Sequence, residues 1–127
     1  MISKNPVNTE KAPGAVGPYS QAIKSGDFLF ISGQLPIDMI TGEFPDSISK
    51  QTHCCLLNLD AIAKEAGTSL QNAVKLTVFL TDMDDFAAMN SVYADFFSQT
   101  PPARSTIAVK GLPKNAPIEI EAICALG

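Results

Sequence analysis

Between residues 47 and 66, apolar or small side chains recur at Ile48, Cys55, Leu56, Leu59, Ile62, Ala63 and Ala66, the three-to-four spacing of one buried helical face. This predicts a first helix from Ser47 to Ala66, with Asp46 as candidate N-cap and Gly67 as the stop. From Ala73 to Thr81 the period drops to two. Val74, Leu76, Val78 and Leu80 alternate with Lys75, Thr77, Phe79 and Thr81, which predicts a strand with one wholly aliphatic face. Asp82 and Asp84 then open a second helix whose stripe is Phe86, Met89, Tyr93, Phe96 and Phe97 and which ends near Pro101-Pro102.

Shorter alternating segments flank these elements. Gln21 to Lys24 and Phe28 to Ser32 read as strands joined across Ser25-Gly26-Asp27, and Thr41-Gly42-Glu43 marks another turn. Lys4 to Pro18 is rich in proline and glycine and reads as an extended arm. Near the end, Ser105, Ile107 and Val109 share one side of a strand and Arg104, Thr106 and Ala108 the other; Ile118, Ile120, Ala122 and Cys124 oppose Glu119, Glu121, Ile123 and Ala125. The aliphatic sides belong beneath the two helices. The remaining face still carries Phe79, Ile123, Phe28 and Phe30, and no third helix exists to cover it, so a second copy of the chain is the expected cover.

Composition narrows the class. The chain has 127 residues with 46% hydrophobic and 17% charged side chains, enough for one domain spanning 1–127 with a true core and unlike a disordered segment. Apolar runs such as Phe28 to Ile31 are far too short to cross a bilayer, and the N-terminus has no basic region leading into an apolar one, which points to the cytoplasm. A net charge of −4 with scattered Lys and Arg disfavours nucleic acid as partner. Three cysteines without a C-x-x-C pair, and the single His53, make no readable metal site. Cys54 and Cys55 lie about 100° apart on a helix, so one faces the core and the other its margin. Gly14 and Gly17 lack the spacing of a phosphate loop and read as turn glycines.

The chemically suggestive residues are Arg104, a permanent cation suited to gripping a planar carboxylate, and Glu119, a carboxyl group able to handle protons. If the last two strands form a hairpin around Lys110 to Pro117, Arg104 lies opposite residue 124 and Glu119 sits about 17 Å away along the ladder. A composite site from two subunits, a bulge or another strand pairing would close that gap.

Six separated motifs occur in order: Gly17-Pro18-Tyr19-Ser20-Gln21-Ala22, Ile31-Ser32-Gly33-Gln34-Leu35-Pro36, Thr41-Gly42-Glu43, Phe86 to Asn90, Pro102-Ala103-Arg104-Ser105 and Ile118-Glu119-Ile120-Glu121-Ala122. Through them the chain resembles the reactive intermediate/imine deaminase family, also called RidA or YjgF-like. The resemblance implies an α/β, chorismate-mutase-like fold, a single sheet with two helices packed on one face, assembled as a homotrimer with clefts between subunits. It further implies cofactor-free hydrolysis of 2-imino acids such as 2-iminobutanoate and 2-iminopropanoate to 2-oxo acids and ammonia, clearing damaging products of pyridoxal-phosphate enzymes.

The same resemblance assigns catalysis to Arg104 and Glu119 and substrate contacts to Tyr19, Ser32 and Gly33, with no metal; Asn90, Thr106 and Phe79 are further candidates for substrate contact, Asn90 reading equally as a helix residue bonding a loop backbone and Phe79 as interface packing. Glu121 is expected to be structural, in an ion pair. Many relatives have cysteine where this chain has Thr106, so a thiol there is not required. The competing readings are a non-catalytic, ligand-binding regulatory trimer and, with less support from the charge balance, an RNA-cleaving translation inhibitor.

Overall fold

The computed structural model describes residues 2–127. Eight elements follow one another: β1 (Asn5–Val7), β2 (Ala22–Ser25), β3 (Phe28–Gln34), α1 (Ile48–Glu65), β4 (Ala73–Leu80), α2 (Phe86–Phe96), β5 (Ala103–Ala108) and β6 (Ile118–Ala125), with short 3-10 turns before β4, α2 and β6. The strands form one sheet in the order β1-β2-β3-β6-β4-β5. Both helices pack on one face, over a core built from Leu56, Leu59, Ile62, Leu76, Val78, Leu80, Met89, Ile118 and Ile120. This is the expected single sheet with two helices. No helix among the described residues is long and apolar enough to cross a membrane.

The pairing of the last strands differs from a hairpin. β5 runs parallel to β4, and β6 inserts between β3 and β4, antiparallel to both. The stretch carrying α2 is long enough for the crossover that parallel pairing demands. Apolarity explains the order: Ile118, Ile120, Ala122 and Cys124 of β6 are at most 3% exposed, and a central position keeps every one of them covered. The more polar Ala103-Arg104-Ser105-Thr106 takes the edge, where a half-exposed strand is tolerated.

That order also reverses the expected facing of β5. Arg104 pairs with Leu76 and Thr106 with Val78, both of which are fully buried beneath the helices. Arg104 and Thr106 therefore point into the helix layer, and Ile107, 45% exposed, points the other way. The aliphatic side of this strand was expected under the helices. It is instead on the open face, since register with β4 sets the direction of an edge strand.

Smaller differences have equally local causes. Ser47, not Asp46, caps α1, because its extended backbone lets Oγ accept the Lys50 N–H at 3.2 Å; Asp46 pairs with Lys50 at the surface. Asp82 caps the 3-10 turn Met83–Asp85, and α2 ends at Phe96, well before the proline pair. In β4 a bulge at Ala73–Lys75 turns Val74 outward and puts Ala73 in the core. Cys55 is fully buried and Cys54 half-buried, as the helical angle requires.

Gln21 anchors the N-terminal arm. Its side chain is buried; Oε1 accepts the Thr9 N–H at 2.7 Å, and Nε2 donates to the Thr9 and Pro13 carbonyls at 3.1 and 2.8 Å. Gln21→Ala leaves these groups without partners and should lower the unfolding free energy by about 2–3 kcal/mol, read as an earlier urea midpoint at unchanged slope.

Candidate active site

The eight expected site residues sort onto two faces of the sheet. Arg104, Thr106 and Asn90 occupy the helix side. On that side the guanidinium is held from α2 alone: Arg104 Nη1 donates to Asn90 Oδ1 at 2.9 Å, its carbon lies 4.5 Å from the centre of the Tyr93 ring, and the Phe86 ring is 5.6 Å away. Phe86, Asn90 and Tyr93 are spaced four and three residues apart, which stacks them on one stripe of the helix. The guanidinium is half-buried, yet the ion pairs among the described residues, Lys50–Asp46 and Lys64–Asp60, leave it without a carboxylate. Burial pushes the Tyr93 phenol up, opposed by the nearby cation. The Tyr93 hydroxyl and Thr106 Oγ1 are buried and unpartnered.

Tyr19, Ser32, Gly33, Phe79 and Glu119 belong to the open side. Phe79 stands beside Glu119 across the β4–β6 ladder. In β3 the register advances three residues from Ile31 to Gln34 while β6 advances two from Ala122 to Ile120, so one extra residue bulges at Ser32-Gly33. The bulge seats the Glu119 side chain directly against Gly33. A Cβ built there would meet Glu119 Oε2, with Cδ at 2.8 Å and Cγ at 3.1 Å, so only glycine leaves that side chain its place. Ser32 Oγ donates to the Ser20 carbonyl at 2.6 Å, which fastens the Tyr19 loop to the bulge. Tyr19, Ser32, Phe30, Thr77 and Glu121 line a groove of about 420 Å³ next to this carboxyl group.

Partial burial, and then the charge of Glu121, raise the Glu119 carboxyl above its ordinary value. Glu121 was expected in an ion pair. It makes none among the described residues, and its role beside Glu119 is that of a like charge.

Arg104 and Glu119 do not meet within one chain. They lie two strands apart, about 10 Å, and three residues apart along the ladder, about 10 Å more, with side chains on opposite faces. The alternative pairing of β5 thus leaves the gap open, and a convergent pocket requires a second protomer. Sequence reasoning also passed over Tyr93 and Phe86 as plain core aromatics; the signal was a polar Asn90 set into their stripe. A concavity of about 600 Å³ between α1 and α2 is lined by His53, Cys54, Asp38 and Asp95 but by none of the eight expected site residues. Burial and then Asp38 push the Cys54 thiol up, the opposite of what an activated nucleophile needs. No cluster among the described residues has the three or more ligands a metal ion needs.

Comparison with known proteins agrees with this architecture. The family model described as Endoribonuclease L-PSP matches residues 9–126. The RutC family protein y4sK of Sinorhizobium fredii is 59% identical over 122 residues, covering 95% of this chain and 97% of its own. TdcF of Escherichia coli, named provisionally as a reactive intermediate deaminase, is 45% identical over 123 residues, 94% of this chain and 95% of its own. The crystal structure of TdcF with bound serine matches with a TM-score of 0.92 over 96% of this chain and 98% of that one, and RidA from an Antarctic Psychrobacter with 0.89 at 44% identity over 94% and 97%. Matched over nearly its whole length, the chain belongs to the Endoribonuclease L-PSP family, the RidA and YjgF-like proteins whose motifs it carries.

Proposed function

We propose that this protein hydrolyses 2-imino acids, 2-iminobutanoate and 2-iminopropanoate among them, to 2-oxo acids and ammonia. The observation that carries the reading is the half-buried, carboxylate-free guanidinium of Arg104, pinned by Asn90 and Tyr93. A cation held away from bulk water without a counter-ion is a receptor for an anion from outside, and its fork matches a carboxylate with two parallel hydrogen bonds. The provisional name given to TdcF, reactive intermediate deaminase, is in keeping with a deaminating reaction.

The working unit is a homotrimer. Phe28, Phe30 and Ile107 leave between 43% and 45% of their surface uncovered on the open face, where no element among the described residues covers them and a neighbouring copy would. In this reading the edge strand β5 of one protomer, with Arg104 tucked beneath it, abuts the open face of the next, so that Arg104 and Glu119 of the partner subunit share one cleft.

Hydrolysis then needs neither redox partner nor cofactor. With the substrate carboxylate on Arg104, the Glu119 carboxylate takes a proton from water as the oxygen bonds to the imine carbon, and passes it to the nitrogen as the C=N electron pair moves there. The resulting carbinolamine collapses when its hydroxyl proton goes to the Glu119 carboxylate and on to the amino nitrogen as the C–N bond breaks, releasing ammonia and the 2-oxo acid. Tyr19 walls the cleft, Ser32 and Gly33 offer hydroxyl and backbone groups, Phe79 limits the side-chain space, and Thr106 flanks the clamp. A carboxyl raised by burial and by Glu121 is a stronger base than a free one, which suits it to taking a proton from water.

The bound serine in TdcF supports a second reading, a carboxylate-binding regulatory trimer without turnover. An endoribonuclease, as the family description says, lacks support in the charge of −4.

The decisive assay generates 2-iminobutanoate in situ with a threonine dehydratase and times its loss. Wild type should accelerate it; Arg104→Ala should lower kcat/KM about 100-fold or more while light scattering still reports three subunits. Failure of wild type to accelerate any of several imino acids, with retained 2-oxo acid binding, would establish the regulatory reading. RNA binding that falls steeply with salt would revive the nuclease reading. Glu119→Gln should lower kcat about 100-fold or more, and the wild-type acid limb should lie above 4.5, the ordinary value. Because the folded-state value is raised, the ionised form weakens the fold at neutral pH. Glu119→Gln should therefore raise Tm slightly at pH 7, a gain that vanishes as pH falls below the ordinary carboxylate value. Gly33→Ala should keep the trimer and lose most of kcat by displacing the Glu119 carboxyl.

A further inference from the structure

We infer that Tyr93 is the positioning residue of an uncharged cradle that fixes the Arg104 guanidinium for a carboxylate ligand without consuming its charge. The inference rests on the carboxylate-binding part of the reading above.

Three features of α2 carry it. Tyr93 is 6% exposed and its ring centre lies 4.5 Å from the guanidinium carbon, closer than the Phe86 ring at 5.6 Å. At that distance the negative face of the ring attracts the cation and opposes rotation of the plane, an effect that strengthens away from water. Asn90 supplies the acceptor at one end, Oδ1 at 2.9 Å from Nη1, which accounts for one of five N–H donors and leaves the others for a ligand. An aspartate at 90 would hold the arginine more strongly, but it would neutralise the charge that the site exists to offer. An amide and an aromatic ring give direction without neutralisation.

The hydroxyl of Tyr93 takes no part. It is buried and has no partner, so the ring alone does the positioning and removal of the oxygen relieves an uncompensated desolvation.

The test measures affinity for 2-oxobutanoate by titration calorimetry, which needs no turnover, beside KM and kcat for the imine. Tyr93→Leu should weaken 2-oxobutanoate binding about fivefold or more and raise KM similarly while kcat stays within about threefold. Tyr93→Phe should bind within about twofold of wild type, with Tm no lower. Asn90→Asp is the second variant, independent of any packing loss: it should raise Tm and yet weaken ligand binding at least about tenfold. The cradle is overturned if Tyr93→Leu binds as wild type does, if Tyr93→Phe is as impaired as Tyr93→Leu, if Asn90→Asp leaves affinity unchanged, or if wild type binds no 2-oxo acid. Wild type that binds 2-oxobutanoate tightly but fails to hydrolyse imines sinks the proposed reaction and leaves the cradle standing.

Discussion

A strand offers its side chains two faces, and in this chain two helices supply cover for only one of them. Almost every feature of functional interest follows from how that shortage is resolved. β6, uniformly apolar at alternate positions, takes a central place, so that Ile118, Ile120, Ala122 and Cys124 all lie under the helices. Its alternate residues, Glu119 and Glu121, are thereby committed to the uncovered side. The polar β5 is displaced to the edge, and its register with β4 sends Arg104 inward against α2. The guanidinium and the carboxyl group of the candidate site are separated by the same packing rule that makes the core.

Much of this was legible in the residues. The periodicities of Ile48 to Ala66 and Ala73 to Leu80 locate the first helix and the fourth strand within a residue or two, because burial on one side imposes a period that few other constraints imitate. The uncovered apolar face could likewise be deduced by counting helices against aromatic residues. Strand order could not. Nothing local in Ala103 to Ala108 distinguishes a hairpin partner of β6 from a parallel partner of β4; the choice is made by competition for the central position, which is a property of the whole sheet.

The candidate site was readable as a set of residues and not as a geometry. Gly33 and Glu119 are far apart in the chain, and their contact depends on one extra residue in β3 that alternation alone does not reveal. Tyr93 was hidden for a different reason. An aromatic on a helical stripe is nearly always core, and its second duty becomes visible only when a cation from another element is seen resting on it. The serine hydroxyl at 47 and the outward turn of Val74 were missed through the same limit, since caps and bulges are decided by single dihedral angles.

The inward turn of Arg104 also bears on how the chain avoids its own kind. A bare margin of a sheet, with its amide and carbonyl groups unspent, is a standing invitation to endless strand-by-strand growth. A charged group folded back beneath the ribbon is one of the known deterrents, because an incoming strand would have to close over a cation it cannot neutralise. In Ala103 to Ala108, the side chain that Asn90 holds beneath the edge strand thus also disfavours fibrous self-association.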